Sequence, residues 1–226
     1  MQGTVADSPK SQNPKGILLF AQEPREFPQE RARKTYESLI KAAAKVFVDR
    51  GFDATQTPDI ASEAGVSVGT FYRYFTDKRD VFLEILKRDL YRSYGEVMAR
   101  LTPESFQGEV RRVTIESVIE ILLDNITRSP GIQRLFLELS LRDPDVAALM
   151  QAYDAEGRRR VSELIAAICP AELVADPDAT AYMIHTAVVE CAIHITGARG
   201  PLPVSRERAA AALTEIIYRS LFGIED

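Results

Sequence analysis

Cysteine is nearly absent from this chain, with two residues, Cys169 and Cys191, in 226. That excludes a disulfide-stapled scaffold and suits a reducing compartment, where each thiol is expected to act as a small buried hydrophobe rather than a redox sensor. Tryptophan is missing and histidine is scarce. His185 and His194 stand nine positions apart, about 900° around a helix, so a straight helix points them to opposite faces and they cannot share a metal. Glu190 and His194 can pair at i, i+4. No apolar run approaches the ~20 residues of a membrane helix. The dense apolar patch at 17–20 is shorter than the ~7–15 residues of a signal-peptide core and is followed by Glu23 and Glu26. The expectation is a cytoplasmic protein with no membrane association. There is also no phosphate-binding glycine loop, dinucleotide fingerprint, G-x-S-x-G or H-E-x-x-H. Neither a catalytic residue nor a metal or cofactor is expected. A small helical enzyme is the rival reading from another class, and a cleft of titratable residues would mark it.

What is present is charge, unevenly placed. Residues 1–80 carry a net charge of +1 and residues 81–226 a net −6. A protein coated all over by nucleic acid would not have this balance, whereas a small near-neutral reader on an acidic body would. Residues 1–29 hold four prolines and no sustained period, which predicts a flexible N-terminal tail, with docking through residues 17–20 as the alternative. Helical periodicity starts at Arg31. Leu39, Ile40, Ala43, Val46 and Phe47 share one face, and Gly51 closes the helix. Thr57-Pro58 reads as an N-cap followed by proline at the first helical position. A short helix through Ile60, Ala61 and Ala64 then stops at Gly65. Ser67 caps a second short helix carrying Val68, Phe71 and Phe75 on one side. Asp77 and Asp80 form a capping pair that opens a longer helix over about 78–100. Further helices are expected at about 108–128, 131–141, 144–168, 178–197 and 205–222, punctuated by prolines.

The informative stretch is residues 57–75, TPDIASEAGVSVGTFYRYF. Small Ala61 and Ala64 let two short helices approach, Gly65 turns the chain and Val66 fills the angle. That is the requirement of a helix-turn-helix, whose second helix enters the DNA major groove. Thr57, Ser67, Tyr72, Tyr74 and Lys78 are candidates for phosphate contacts, which position a protein on DNA. Val68, Gly69, Thr70 and Arg73 are candidates for base edges or thymine methyls, which specify sequence.

The string DIASEAGVSVGTFYRYFTDKRDVF, within a block over 31–92, resembles the DNA-binding domain of the TetR family of transcriptional repressors. The resemblance implies an all-α protein of about nine helices, with a three-helix helix-turn-helix domain followed by a C-terminal helical ligand-binding and dimerisation domain. It places the reader at 30–92, with its motif at about 56–75, and the body at 93–226. It further implies a homodimer on a double-stranded DNA operator, released by a small-molecule effector; the abundance of apolar residues in the body, which ordinary core composition explains equally well, points to a lipophilic one. Carried over by position, Thr57, Tyr72, Tyr74 and Lys78 fall on phosphates, with Ser67, Gly69 and Thr70 at the groove. A constitutive helix-turn-helix protein without effector is the alternative within DNA binding.

In the body, Tyr94, Met98, Phe106, Phe136, Met150, Tyr153 and His185 are candidate pocket residues, with Glu138 as a polar anchor, because small-molecule sites in bundles form between helices. Residues 180–197 are apolar almost all round. With the stripe Leu213, Ile216, Ile217 and Leu221, they predict dimerisation through the last two helices.

Overall fold

The computed structural model describes residues 27–197, Gly200 and residues 203–223. Among these residues the regular structure is helical, in nine α-helices. They are α1 (Glu30–Arg50), α2 (Thr57–Glu63), α3 (Val68–Tyr72), α4 (Lys78–Met98), α5 (Arg111–Thr127), α6 (Pro130–Ser140), α7 (Pro144–Ile168), α8 (Pro177–Ile195) and α9 (Arg206–Phe222). Two short 3-10 turns, Pro103–Phe106 and Gly108–Val110, bridge α4 to α5. Most of the expected tail, including 17–20, lies outside the described residues. Its last part does not trail away: the Phe27 ring packs tilted 4.6 Å from Tyr36 and edge-on 5.8 Å from Tyr74.

The caps set the boundaries. Gly51 ends α1 at φ 81°, in the left-handed region that favours glycine. Helix α2 begins one residue earlier than Thr57-Pro58 suggests. Gln56 is the N-cap, its amide bonded to the Asp59 carboxylate at 2.9 Å, so Thr57 is the first helical residue rather than the cap. At α4 the Asp80 amide donates to Asp77 Oδ1 at 2.8 Å. The Asp80 carboxylate reaches back to the Thr76 amide at 3.0 Å, closing a capping box one position wider than usual. Asp143, Asp176 and Ser205 cap α7, α8 and α9.

Two hydrophobic clusters form the core. One joins α1–α4 to α6 and the start of α7. Tyr36, Phe47, Phe71 and Phe82 are fully buried in it, and Ile132, Leu135, Leu139, Val146 and Leu149 are buried in the same cluster. The other holds α5, the rest of α7, α8 and α9, through Ile119, Leu123, Ile165, Ala192 and Ile217. Helix α6 is thus packed on the side of α1. A Cβ at Gly131 would lie 2.8 Å from both methyls of Val48, so only glycine lets α6 settle there without displacing a stiff β-branched side chain. Polar links seal the same seam. Arg79 forks onto Asp143, with Nη2 to Oδ1 at 2.7 Å, and also reaches Asp145. Arg142 reaches Asp53 at 2.8 Å.

Candidate DNA-reading surface and body cavity

The α2–α3 turn is built as its residues require. Gly65 takes φ 68°, and the Val66 amide returns to Ala61 O at 3.0 Å. Ser38 on α1 donates its hydroxyl to Ala64 O at 3.2 Å, which braces the turn. Ser67 caps α3 by accepting from the Thr70 amide at 3.1 Å, and the two hydroxyls lie 2.9 Å apart. α3 is only five residues long, shorter than its sequence period suggests. The chain continues in turns, with the Phe75 amide on Phe71 O at 3.1 Å, and this carries Phe75 back into the core.

One face of this segment is left outward. Ser67, Val68, Gly69, Tyr72 and Arg73 are exposed, and Tyr72 retains 56 % of its surface. Thr70 and Thr57 are half-buried beside them. Two of the expected phosphate contacts are placed differently. Tyr74 is half-buried, its ring 5.9 Å from Tyr36. Lys78 turns inward: its Nζ donates to the carbonyls of Phe52 at 2.8 Å, Asp53 at 3.0 Å and Thr55 at 2.8 Å. An ammonium has three protons, and all three are engaged. Lys78 therefore staples the α1–α2 loop to α4 instead of presenting a charge to a phosphate. A sequence pattern shows a lysine at a helix start but not which carbonyls surround it.

Between the two clusters lies a cavity of about 230 Å³, walled by α4, α5, α7 and α8 and touched by α6 and α9. Tyr94, Met98, Phe106, Phe136, Met150, Tyr153 and His185 all line it. Glu138 does not. It is exposed on the outer face of α6, where Arg142 lies four residues on and bonds it at 3.0 Å, while its neighbour Leu137 faces the cavity. Apolar neighbours in sequence misplaced Glu138 because adjacent helix positions are about 100° apart. Sequence reasoning missed Ser93, Asn125 and Asp154 on the wall. The one available signal was Asn125 standing in a strongly apolar helix.

The wall is tied together by polar groups. Glu156 is buried, and its carboxylate accepts from Tyr94 Oη at 2.8 Å, Arg159 Nη2 at 2.7 Å and Arg160 Nε at 3.2 Å, which links α4 to α7. Burial opposes its charge, yet Arg159 and Tyr94 hold the carboxyl below the usual range. Burial raises both cysteine thiols, which disfavours the thiolate a redox sensor needs. His194 lies 4.0 Å from Glu190 and is not on the cavity wall, whereas His185 is.

Burial, helped by the charge of Arg158, holds the His185 imidazole down at about 4. A free imidazole titrates near pH 6.5. Above that value neither the folded nor the unfolded chain is protonated here, and no stability depends on it. Between pH 6.5 and 4 the unfolded chain takes up a proton that the folded one refuses, so stability falls as pH falls. Asp154, 3.7 Å away, works the other way, since burial raises its carboxyl and the folded state takes up its proton early. His185 alone is expected to cost about 3 kcal/mol by pH 4, and Asp154 offsets part of that. Thermal melts should show it in the parent protein and a flatter profile in His185→Phe. Equal slopes would assign the acid loss to other groups.

Comparison with known proteins agrees with this arrangement. The model of bacterial regulatory proteins of the tetR family matches residues 39–85, and that of the tetracyclin repressor-like C-terminal domain matches residues 112–221. The HTH-type transcriptional activator FasR of Mycolicibacterium smegmatis is 30% identical over 110 residues, covering 49% of each chain. The HTH-type transcriptional repressor KstR2 of Rhodococcus jostii is 33% identical over 94 residues, 40% of this chain and 43% of that one. The match thus spans about half or less of these relatives' length. The fold of the fatty acid degradation regulator FadR from Bacillus halodurans superposes with a TM-score of 0.62 at 18% identity, covering 89% of this chain and 98% of that one.

Proposed function

Because this chain belongs to the tetR family of bacterial regulatory proteins, we propose that it is a ligand-responsive transcriptional repressor that binds a palindromic operator as a homodimer and works in the cytoplasm. Residues 30–92 form the reader and residues 93–226 the body. Val68, Gly69, Thr70 and Arg73 meet base edges. Thr57, Ser67 and Tyr72 hold phosphates, with Tyr74 at the margin of that contact. A five-residue helix makes few contacts alone, so two readers one DNA turn apart, about 34–36 Å, are needed for specific affinity.

The observation that carries the regulatory part is the shared position of α6. Its Ile132, Leu135 and Leu139 belong to the reader's core, while Phe136, in that same core, and Leu137 border the cavity. Helix α4 does the same. Val81, Phe82 and Leu86 are set in the reader, and Tyr94, Val97 and Met98 line the cavity. A ligand filling the cavity presses on side chains that are also part of the reader. It shifts DNA affinity by as much as it prefers one reader spacing over the other. No helix among the described residues is long and apolar enough to cross a membrane.

The test is a gel-shift titration on DNA flanking the protein's own gene, at several salt concentrations. Sequence-preferring, salt-sensitive binding is expected. Tyr72→Ala should weaken binding to all sequences about tenfold and reduce the salt slope by about one. Thr70→Ala should change sequence preference at one position per half-site, worth about 1–3 kcal/mol of discrimination. Salt-independent binding, or none to duplex DNA, would overturn the reading.

A further inference from the structure

The cavity is not uniform along its length. Along α4 and the turn after it polar Ser93 gives way to Leu101, on α5 Asn125 gives way to Ile115, and on α7 Tyr153 gives way to Ile168. The polar end is the one nearer the reader, and the apolar end points away from it. At 1.5 Å per residue the lined lengths are about 12–22 Å. A volume of about 230 Å³ drawn out over that distance would suit a slender chain in single file better than a compact ring system.

The polar end is built of hydrogen-bonding groups. Asn125 is only 8% exposed, and its Nδ2 donates to Ser93 Oγ at 3.2 Å. Ser93 Oγ lies 3.1 Å from Tyr153 Oη. Asn125 Oδ1 has no hydrogen-bond partner. A buried carbonyl oxygen left unpaired is unfavourable, and a ligand donor placed there would relieve it. From α7 and α8, Asp154 and His185 also face this end, 3.7 Å apart.

Counter-charge for an anion is lacking. Arg92 is the one lysine or arginine among the described lining residues, and its Nη2 is bonded to Asp89 at 2.7 Å. Arg158 acts on Asp154 and His185 from outside the lining. Burial keeps His185 uncharged at neutral pH, so it cannot balance an anion. A carboxylate head would meet Asp154 and find no free cation on the lining itself.

We propose that the ligand of this cavity is an uncharged single-chain amphiphile, with a hydroxyl head donating to Asn125 Oδ1 near the reader and an alkyl tail running between α4, α5 and α7. The proposal rests on reading the cavity as the effector site.

The experiment is calorimetric titration of the full chain at neutral pH with dodecan-1-ol and with dodecanoate, backed by thermal-shift measurements. The alcohol is expected to bind once per protomer, at least tenfold more tightly than the carboxylate. Asn125→Leu should remove most of that preference without lowering the melting temperature of the free protein. Asp154→Asn should raise dodecanoate affinity severalfold and leave the alcohol unchanged. Leu164→Trp, which fills the apolar end, should abolish binding of both. Equal or tighter binding of dodecanoate overturns the proposal, as does no binding of either probe or alcohol binding that survives in a folded Leu164→Trp protein. A gel shift on the same preparation separates the two readings. Loss of DNA binding overturns the regulator, whereas intact DNA binding without alcohol preference overturns only the ligand class.

Discussion

An aspartate at Met183 or at Ile216 is expected to convert the protein to a monomer and to lower operator affinity by at least a hundredfold. Met183 on α8 and Ile216 on α9 are 63% and 65% exposed, and Tyr182 beside Met183 is 55% exposed. Large apolar side chains singly exposed need no explanation, but neighbouring ones on two helices that pack on each other describe a face. The opposite sides of the same helices are fully used, with Ala181, Val188 and Ala192 on α8 and Leu213, Ile217 and Leu221 on α9 all buried. A two-fold interface repeats every substitution. Burying an unpaired carboxylate there costs about 3 kcal/mol per copy, or about 6 kcal/mol in all. Since 1.4 kcal/mol is a factor of ten, the dimer constant should weaken by about four orders of magnitude. Sedimentation at micromolar concentration reads the mass, and a gel shift reads the consequence. A variant that remains dimeric with full affinity would place the interface elsewhere.

Lys78→Met should cost about 3 kcal/mol of folding stability and leave the salt slope of DNA binding unchanged. The three carbonyls that Nζ holds come from one loop, and the ammonium also lies 4.9 Å from the centre of the Phe52 ring. Hydrogen bonds from a charged donor are worth about 1.5–3 kcal/mol each. Methionine keeps the stem but no donor, and water can reach only part of what is released. Denaturant melts give the stability, and titrations at several salt concentrations give the slope. A slope reduced by about one with stability intact would instead mean that Lys78 contacts a phosphate.

These two residues show what a sequence can and cannot convey. The apolar stripe that holds Ile216 was legible because helical period is a local property, and Ile216 is the member of it that stays exposed. The helix spans at 144–168, 178–197 and 205–222 were legible for the same reason, with prolines and capping side chains marking their starts. The α2–α3 turn was legible because Gly65, Ala61 and Ala64 are dictated by close packing. Lys78 and Glu138 were not, because each is decided by what lies across a gap in the chain. Lys78 finds carbonyls more than twenty residues away. Glu138 faces outward although Leu137 and Leu139 on either side face in. Seven of the eight proposed pocket residues do line the cavity, since bulky side chains on the inner faces of four helices have nowhere else to go. The polar groups that give that cavity its chemistry were missed, because Ser93 and Asn125 acquire meaning only through each other, across 32 positions.

The seating of α6 against α1 has a practical corollary for anyone dissecting the molecule. An excised piece ending at Met98 would keep every residue proposed to touch DNA and still lose part of its own interior, because Ile132, Leu135, Leu139, Val146 and Leu149 are supplied from further along the chain. The bared flank of α1 would be greasy, and Asp53 and Arg79 would be stripped of Arg142 and Asp143. A fragment that keeps the reader's core whole must therefore reach at least the first turns of α7, and the boundary between head and body is a shared wall instead of a hinge.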